Sequence, residues 1–169
     1  MCSSDLHMPE AVIAITGASG ARYGVRLLQA LCDAGWQIRL IVTGAGAINL
    51  DLECGISPAE LASDPAVTLE ENDNLAARSA SGSARFDAYV ICPASGTTIG
   101  KIATGISDNL VTRSALVAMK ERRKLILVPR EAPYSTPHLS ALADLSACGG
   151  VLLPDRQCAV SGARGALAV

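Results

Sequence analysis

The sequence predicts an α/β protein built on a doubly wound parallel sheet, with helices on both faces. Three observations carry this prediction. Short β-branched runs alternate with helix-spaced segments, as where "AVIAIT" is followed by "VRLLQALCDAG". Half of the 169 residues are hydrophobic but only 3% are aromatic, so the core is aliphatic and alanine-rich, which suits strands buried on both faces. Each strand run ends in polar or small residues, at the edge where open α/β sheets bind ligands.

The elements follow in order. "AVIAIT" (11–16) is the first strand and "GASGARYG" the turn after it. Leu27, Leu28, Leu31 and Cys32 have helical spacing, and Gly35 stops that helix. "QIRLIVT" (37–43) is the next strand, and "GAGAINLDLECG" begins a second helix. Residues 56–85 read as a polar loop with one short strand at Val67 to Leu69. "FDAYVICP" (86–93) is a third clear strand, and 95–123 reads as two helical pieces broken near Gly105 to Asp108. "KLILVP" (124–129) is a strand, "STPHLSALADLSACGG" a helix with a Gly-Gly stop, and "GVLLP" the last strand. No internal repeat interrupts the alternation.

Composition excludes several classes of function. A net charge of −2 offers no general polyanion surface, which argues against nucleic acid as a partner. No segment reaches the roughly 18 to 20 apolar residues of a membrane span. "MCSSDLHMPE" lacks a basic start followed by an apolar core, so it is not a secretory signal, and residues 1–9 read as a disordered leader. The six cysteines, at 2, 32, 54, 92, 148 and 158, form no CxxC pair and have no histidine cluster beside them, so a metal site is not expected. Cys32, Cys92 and Cys148 sit in apolar stretches that read as core, and scattered cysteines fit a reducing cytoplasm. His138 falls in the first turn of the last helix and His7 in the leader, so neither a histidine-dependent mechanism nor a Ser-His-Asp triad is indicated.

The candidate site residues lie at four strand ends: Gly17, Ala18, Ser19 and Gly20; Thr43; Ser95, Gly96, Thr97 and Thr98; and Arg130 with Glu131. Glycines admit a phosphate close to the backbone, and helix N-termini supply N–H donors and a favourable dipole. The glycines at 17, 20 and 24 do not make a GxGxxG fingerprint, and no GK[ST] follows. "GASG" alone is equally an ordinary βα turn with Ser19 as N-cap. Four such ends together suit a mononucleotide such as FMN. A second constellation is cationic. Arg122, Arg123 and Lys124 read as a solvated helix end. Arg113 and Lys120, seven apart on one helical face, are placed to converge on a second anion with Arg130. Glu131 and Glu53 are the available carboxylates, and Glu53 by itself reads as a surface charge.

"ITGASGARYGVRLLQAL", "CPASGTTIGKIATGISDNLVTR" and above all "MKERRKLILVPREAP" resemble the UbiX-type flavin prenyltransferases, from about residue 10 to Pro154. The resemblance implies a flavodoxin-like (Rossmann-like) sheet in three α/β/α layers that binds FMN at an interface between subunits, without a metal. It implies transfer of a dimethylallyl group from dimethylallyl monophosphate to N5 and C6 of reduced FMN. The product, prenylated FMN, serves UbiD-type decarboxylases. A homo-oligomer is implied, from trimer to dodecamer. By the resemblance, Ala18, Ser19 and Gly20 form the first FMN-phosphate loop, and Thr43 and Ser95 to Thr98 contact flavin. Arg130 is shared by flavin and substrate, Arg113, Lys120 and Glu131 surround the prenyl phosphate, and Glu53 lies near the reacting flavin edge. The catalytic set is then Glu53, Lys120, Arg130 and Glu131.

Residues 10–154 thus read as the flavoprotein domain and 155–169 as an atypical tail. Family members continue with a tyrosine-bearing aromatic stretch and a helix, where this chain has "DRQCAVSGARGALAV". Two other readings share the fold. Flavin-dependent cysteine decarboxylases carry "PASANT", whose asparagine is replaced here by Thr97. The other reading is an FMN-binding electron carrier or reductase.

Overall fold

The computed structural model of the chain describes residues 8–154, so the tail 155–169 and nearly all of the leader 1–9 lie outside the described residues. Six strands are present: β1 (Glu10–Ile15), β2 (Gln37–Val42), β3 (Val67–Glu70), β4 (Ala88–Ala94), β5 (Leu125–Pro129) and β6 (Val151–Leu152). They form one sheet in the order β3-β2-β1-β4-β5-β6, and every pairing is parallel. Leaving out the edge strand β3, this is the flavodoxin order. The order reverses between β1 and β4, so their carboxyl ends form the switch point where such sheets take ligands.

Period two along β1 divides its side chains between two cores. Ala11, Ile13 and Ile15 pack with Leu28 of α1 (Ala21–Asp33), Leu50 of α2 (Gly44–Cys54) and Leu61 of α3 (Pro58–Leu61). Val12 and Ala14 face the other core with Ile99 of α4 (Gly96–Ala103), Leu110 of α5 (Leu110–Lys120) and Leu142 of α6 (Thr136–Ala147). Burying each of these large aliphatic side chains contributes about 1.5–3 kcal/mol, and that anchors the strand ends that carry the site. The three-layer expectation therefore holds.

The helix stops are legible in their hydrogen bonds. Gly35 adopts φ 82, its N–H donates to Cys32 O at 2.9 Å, and the Trp36 N–H donates to Leu31 O at 3.0 Å. These are the paired bonds of a glycine-terminated helix. Gly149 and Gly150 end α6 in the same way, with the Gly150 N–H on Leu145 O at 2.9 Å.

Four details differ from expectation. The stretch read as loop contains α3, a helix too short for periodicity but closed by a capping box: Glu60 N–H donates to Ser57 Oγ at 3.2 Å and Ser57 N–H to Glu60 Oε2 at 2.7 Å. Arg123 is not a solvated helix end. Its guanidinium donates to the carbonyls of Gly82 (2.6 Å) and Ala84 and to the Tyr89 hydroxyl (3.2 Å), fastening the segment before β4. Cys148 is exposed and Cys32 half-buried, so of the three cysteines read as core only Cys92 is buried. Cys148 is the C-cap residue of α6, one position past the helix whose face is buried. Ser19 is exposed and does not cap α1; Gly20 holds that position. Among the described residues, no helix is long and apolar enough to cross a membrane.

Candidate functional site

The loop after β1 is shaped from behind by α2. Gly17 backs onto Ala45 so closely that a Cβ at position 17 would lie 2.5 Å from the Ala45 Cβ. The side chain of Asn49 donates to Ala18 O at 2.9 Å. Gly20 sits at φ 96, a left-handed conformation that glycine adopts without strain, and no side chain of the loop caps α1. The capping is done from a distance: Gly20 N–H meets Glu53 Oε1 at 2.9 Å and Oε2 at 3.0 Å. Glu53 lies in the last turn of α2 and is half-buried, so it is no plain surface charge. Its carboxylate rests on the positive end of the α1 dipole. Thr43 caps α2 by accepting the Gly46 N–H at 3.0 Å, a role that still leaves a hydroxyl its proton to donate.

The loop after β4 is built from its own hydroxyls. Ser95 caps α4, accepting the Thr98 N–H at 3.3 Å, and its Oγ lies 3.0 Å from Thr98 Oγ1. Thr97 is exposed. Gly96 lies beneath the His138 ring, where a Cβ would come within 2.4 Å of Nε2. His138 is in the first turn of α6 as expected, and its Nδ1 is buried with no hydrogen-bond partner among the described residues. Sequence reasoning missed Thr16, which is fully buried and bridges the two loops: its Oγ1 donates to Pro93 O at 2.8 Å and accepts the Ser95 N–H at 2.8 Å. A threonine closing a β-branched run reads as strand, and nothing in the run marks it.

Arg130 leaves the carboxyl end of β5 and reaches back across α1, with its Nε 3.3 Å from where a Cβ on Gly20 would stand. Ser19, Gly20, Arg22, Tyr23, Glu53 and Arg130 line an open cleft of ≈ 260 Å³. The chain therefore brings Ser19, Gly20, Glu53 and Arg130 together, with Ser95 to Thr98 joined to them through Thr16. Glu131 follows, half-buried.

Lys120, at the end of α5, does not join this group within one protomer. Lys120 ends α5, is 68% exposed and pairs with Glu121 at 3.1 Å. The end of α5 feeds the start of β5, whereas Arg130 leaves its far end, and five residues of strand rise about 16 Å. Arg113, exposed in the first half of α5, lies roughly 10 Å from Lys120 along the helix axis. Because the helix runs antiparallel to the strands, a shared helical face leaves Lys120 at the far end of the sheet from Arg130, with Arg113 nearer the strand carboxyl ends. No group of three or more His, Cys, Asp or Glu suited to a metal occurs among the described residues.

Comparison with known proteins agrees with this fold. The Flavoprotein family model matches residues 2–165. The chain is 40% identical over 161 residues to the flavin prenyltransferase UbiX of Pseudomonas aeruginosa, covering 86% of this chain and 77% of that protein. It is 43% identical over 148 residues to the flavin prenyltransferase LpdB of Lactiplantibacillus plantarum, covering 87% and 79%. Among solved structures, AnUbiX in complex with FMN and dimethylallyl pyrophosphate superposes with a TM-score of 0.84 at 32% identity, over 88% of this chain and 78% of that one. A dodecameric FMN-dependent UbiX-like decarboxylase from Escherichia coli gives 0.82 at 37% identity, over 86% and 79%. With the fold and these likenesses in agreement, the chain belongs to the flavoprotein family, in its UbiX-type flavin prenyltransferase branch.

Proposed function

We propose that this protein is a flavin prenyltransferase, moving the dimethylallyl group of dimethylallyl monophosphate onto reduced FMN. The observation that carries the reading is the cleft in which Arg130, Glu53, Ser19 and Gly20 meet, in a chain about 40% identical to flavin prenyltransferases. The residues present fit FMN. Two loops carrying hydroxyls and glycines flank the switch point, and a side chain at Gly20 would crowd Tyr23 and Arg130 in the cleft. The resemblance gave the phosphate to Ala18, Ser19 and Gly20, but the Glu53 carboxylate already takes the Gly20 N–H there. Ser95 and Thr98, with the Gly96 and Thr97 backbone at the start of α4, therefore suit the phosphate better, and Gly17, Ala18, Ser19 and Thr43 the rest of the molecule. When bound, reduced FMN supplies the electron-rich ring that accepts the prenyl group.

The chain's own residues supply charge and proton handling. Arg130 offers a guanidinium to the negative charge that develops on the departing phosphate. Glu53, oriented by the Gly20 N–H, holds a carboxylate in the cleft where a proton can be taken up, with Glu131 a second carboxylate beside Arg130. Lys120 and Arg113 serve the site of a neighbouring copy in a homo-oligomer, trimeric at least and dodecameric by analogy with the E. coli structure. Prenylated FMN passes to a UbiD-type decarboxylase, and cysteines scattered without a pairing pattern suit a reducing cytoplasm. The test is to offer reduced FMN with dimethylallyl monophosphate or diphosphate and to follow the flavin spectrum. Product from the monophosphate supports the reading. A protein that binds and cycles FMN with neither donor consumed would instead be an electron carrier.

A further inference from the structure

Thr16 does more than fill space between two loops. The pairing of β4 with β5 loses its register between Ile91 and Ala94, and the pairing of β4 with β1 runs only as far as Ala14 opposite Ile91. Pro93 has no N–H to give to a ladder. The strand ladder therefore holds this segment on the β5 side only at Ala94, opposite Pro129, and leaves Pro93 and Ser95 unheld on the β1 side. Thr16 takes over there: its backbone N–H reaches Pro93 O at 3.3 Å, its hydroxyl donates to the same carbonyl at 2.8 Å, and it accepts the Ser95 N–H at 2.8 Å. Only a hydroxyl both gives and takes in this way, so serine can replace threonine while the isosteric valine cannot. From Ser95 the constraint continues to Thr98 through Ser95 Oγ.

We propose that Thr16 is a positioning residue for phosphate recognition. By holding the Ser95 N–H it sets the first turn of α4, so that the Gly96 and Thr97 N–H groups and the Ser95 and Thr98 hydroxyls face one anion. Thr16 itself is fully buried. The inference rests on the reading that the protein binds FMN. Its signature is specificity: loosening this turn weakens binding of FMN, which has the phosphate, and leaves riboflavin, which lacks it, unchanged.

The experiment is titration of wild type, Thr16→Val and Thr16→Ser with FMN and with riboflavin, together with amide exchange in flavin-free protein. Thr16→Val is expected to lose at least about fivefold in FMN affinity, the lower bound for a buried donor left unpaired, with little change for riboflavin, and Thr16→Ser to recover it. In wild type the Ser95 amide is expected to be protected while those of Gly96 and Thr97, first in their helix, exchange rapidly. Wild type preferring FMN while Thr16→Val keeps that preference overturns the inference alone. Wild type that does not prefer FMN to riboflavin overturns the phosphate reading and the inference together. Should the valine variant not fold, an unprotected Ser95 amide in wild type is sufficient to overturn it, and a protected one supports it.

Discussion

The carboxylate of Glu53 accepts the Gly20 N–H through both oxygens, at 2.9 and 3.0 Å, and so caps a helix 33 residues earlier in the chain. That contact joins the end of α2 to the start of α1 and leaves a negative charge beside Arg130. Glu53→Gln keeps one acceptor but loses the charge on the helix dipole, a cost of about 0.3–1 kcal/mol. Thermal unfolding is expected to shift by only a few degrees, and FMN to remain bound. Prenyl transfer is expected to slow by about 10²–10⁴-fold if the carboxylate takes up the proton. A variant with the full rate would leave Glu53 a helix cap and nothing more.

Gly96 and His138 form a second coupled pair. A methyl group at 96 would stand 2.4 Å from His138 Nε2, so Gly96→Ala forces the ring or the start of α4 to move. Overpacking of this kind costs about 1–3 kcal/mol. The expected outcome is a loss of stability and of FMN affinity, with both partly restored when His138→Ala is added. Urea denaturation of the two single variants and the double variant measures the coupling, expected at about 0.5–3 kcal/mol. Strictly additive losses would place the strain of Gly96→Ala elsewhere.

Lys120 and Arg130 stand at opposite ends of β5, and on the proposed reading they act together only when contributed by different copies of the chain. Lys120→Ala and Arg130→Ala are each expected to slow prenyl transfer about 30- to 1000-fold. Oligomers reassembled from the two inactive variants are expected to regain activity, because some sites then receive an intact lysine from one chain and an intact arginine from the other. No recovery, in mixed oligomers shown by mass to contain both chains, would mean that Lys120 serves no shared site.

Burial raises the Tyr89 phenol above its ordinary value near 10, against the pull of the hydrogen bond and charge of Arg123. A raised acid is neutral in the folded protein while the unfolded chain can ionise. Its stabilising effect is therefore complete below about pH 10 and is lost as pH climbs from there through the folded value. Denaturation followed from pH 8 to 11 is expected to show stability falling above about pH 10. That part of the fall should be missing in Tyr89→Phe. An identical slope in both proteins would assign the alkaline loss to other groups.

The alternation of strand and helix was legible because each long element carries its own period, and the glycine stops at Gly35 and Gly149 mark helix ends by conformation. Short elements escaped: α3 has four residues, and only its Ser57–Glu60 capping pair announces it. The glycines and hydroxyls of the site were visible because phosphate chemistry restricts residue type. What holds them was not. Thr16, Asn49 and His138 act across tens of residues of chain, and their types alone do not reveal a partner. Arg123 looked solvated because two of its three acceptors are backbone carbonyls, which leave no trace in a sequence. Lys120 was placed with Arg130 from helical spacing, which ignores that helix and strand run in opposite directions.

The most direct measurement is a single-turnover reaction under anaerobic conditions, with the FMN-loaded protein reduced and mixed with dimethylallyl monophosphate. The flavin is then extracted and weighed. The expected result is flavin heavier by one dimethylallyl unit, formed by wild type and strongly slowed in Arg130→Ala at full FMN occupancy. Unmodified flavin from fully loaded wild type would contradict prenyl transfer as the function of this site.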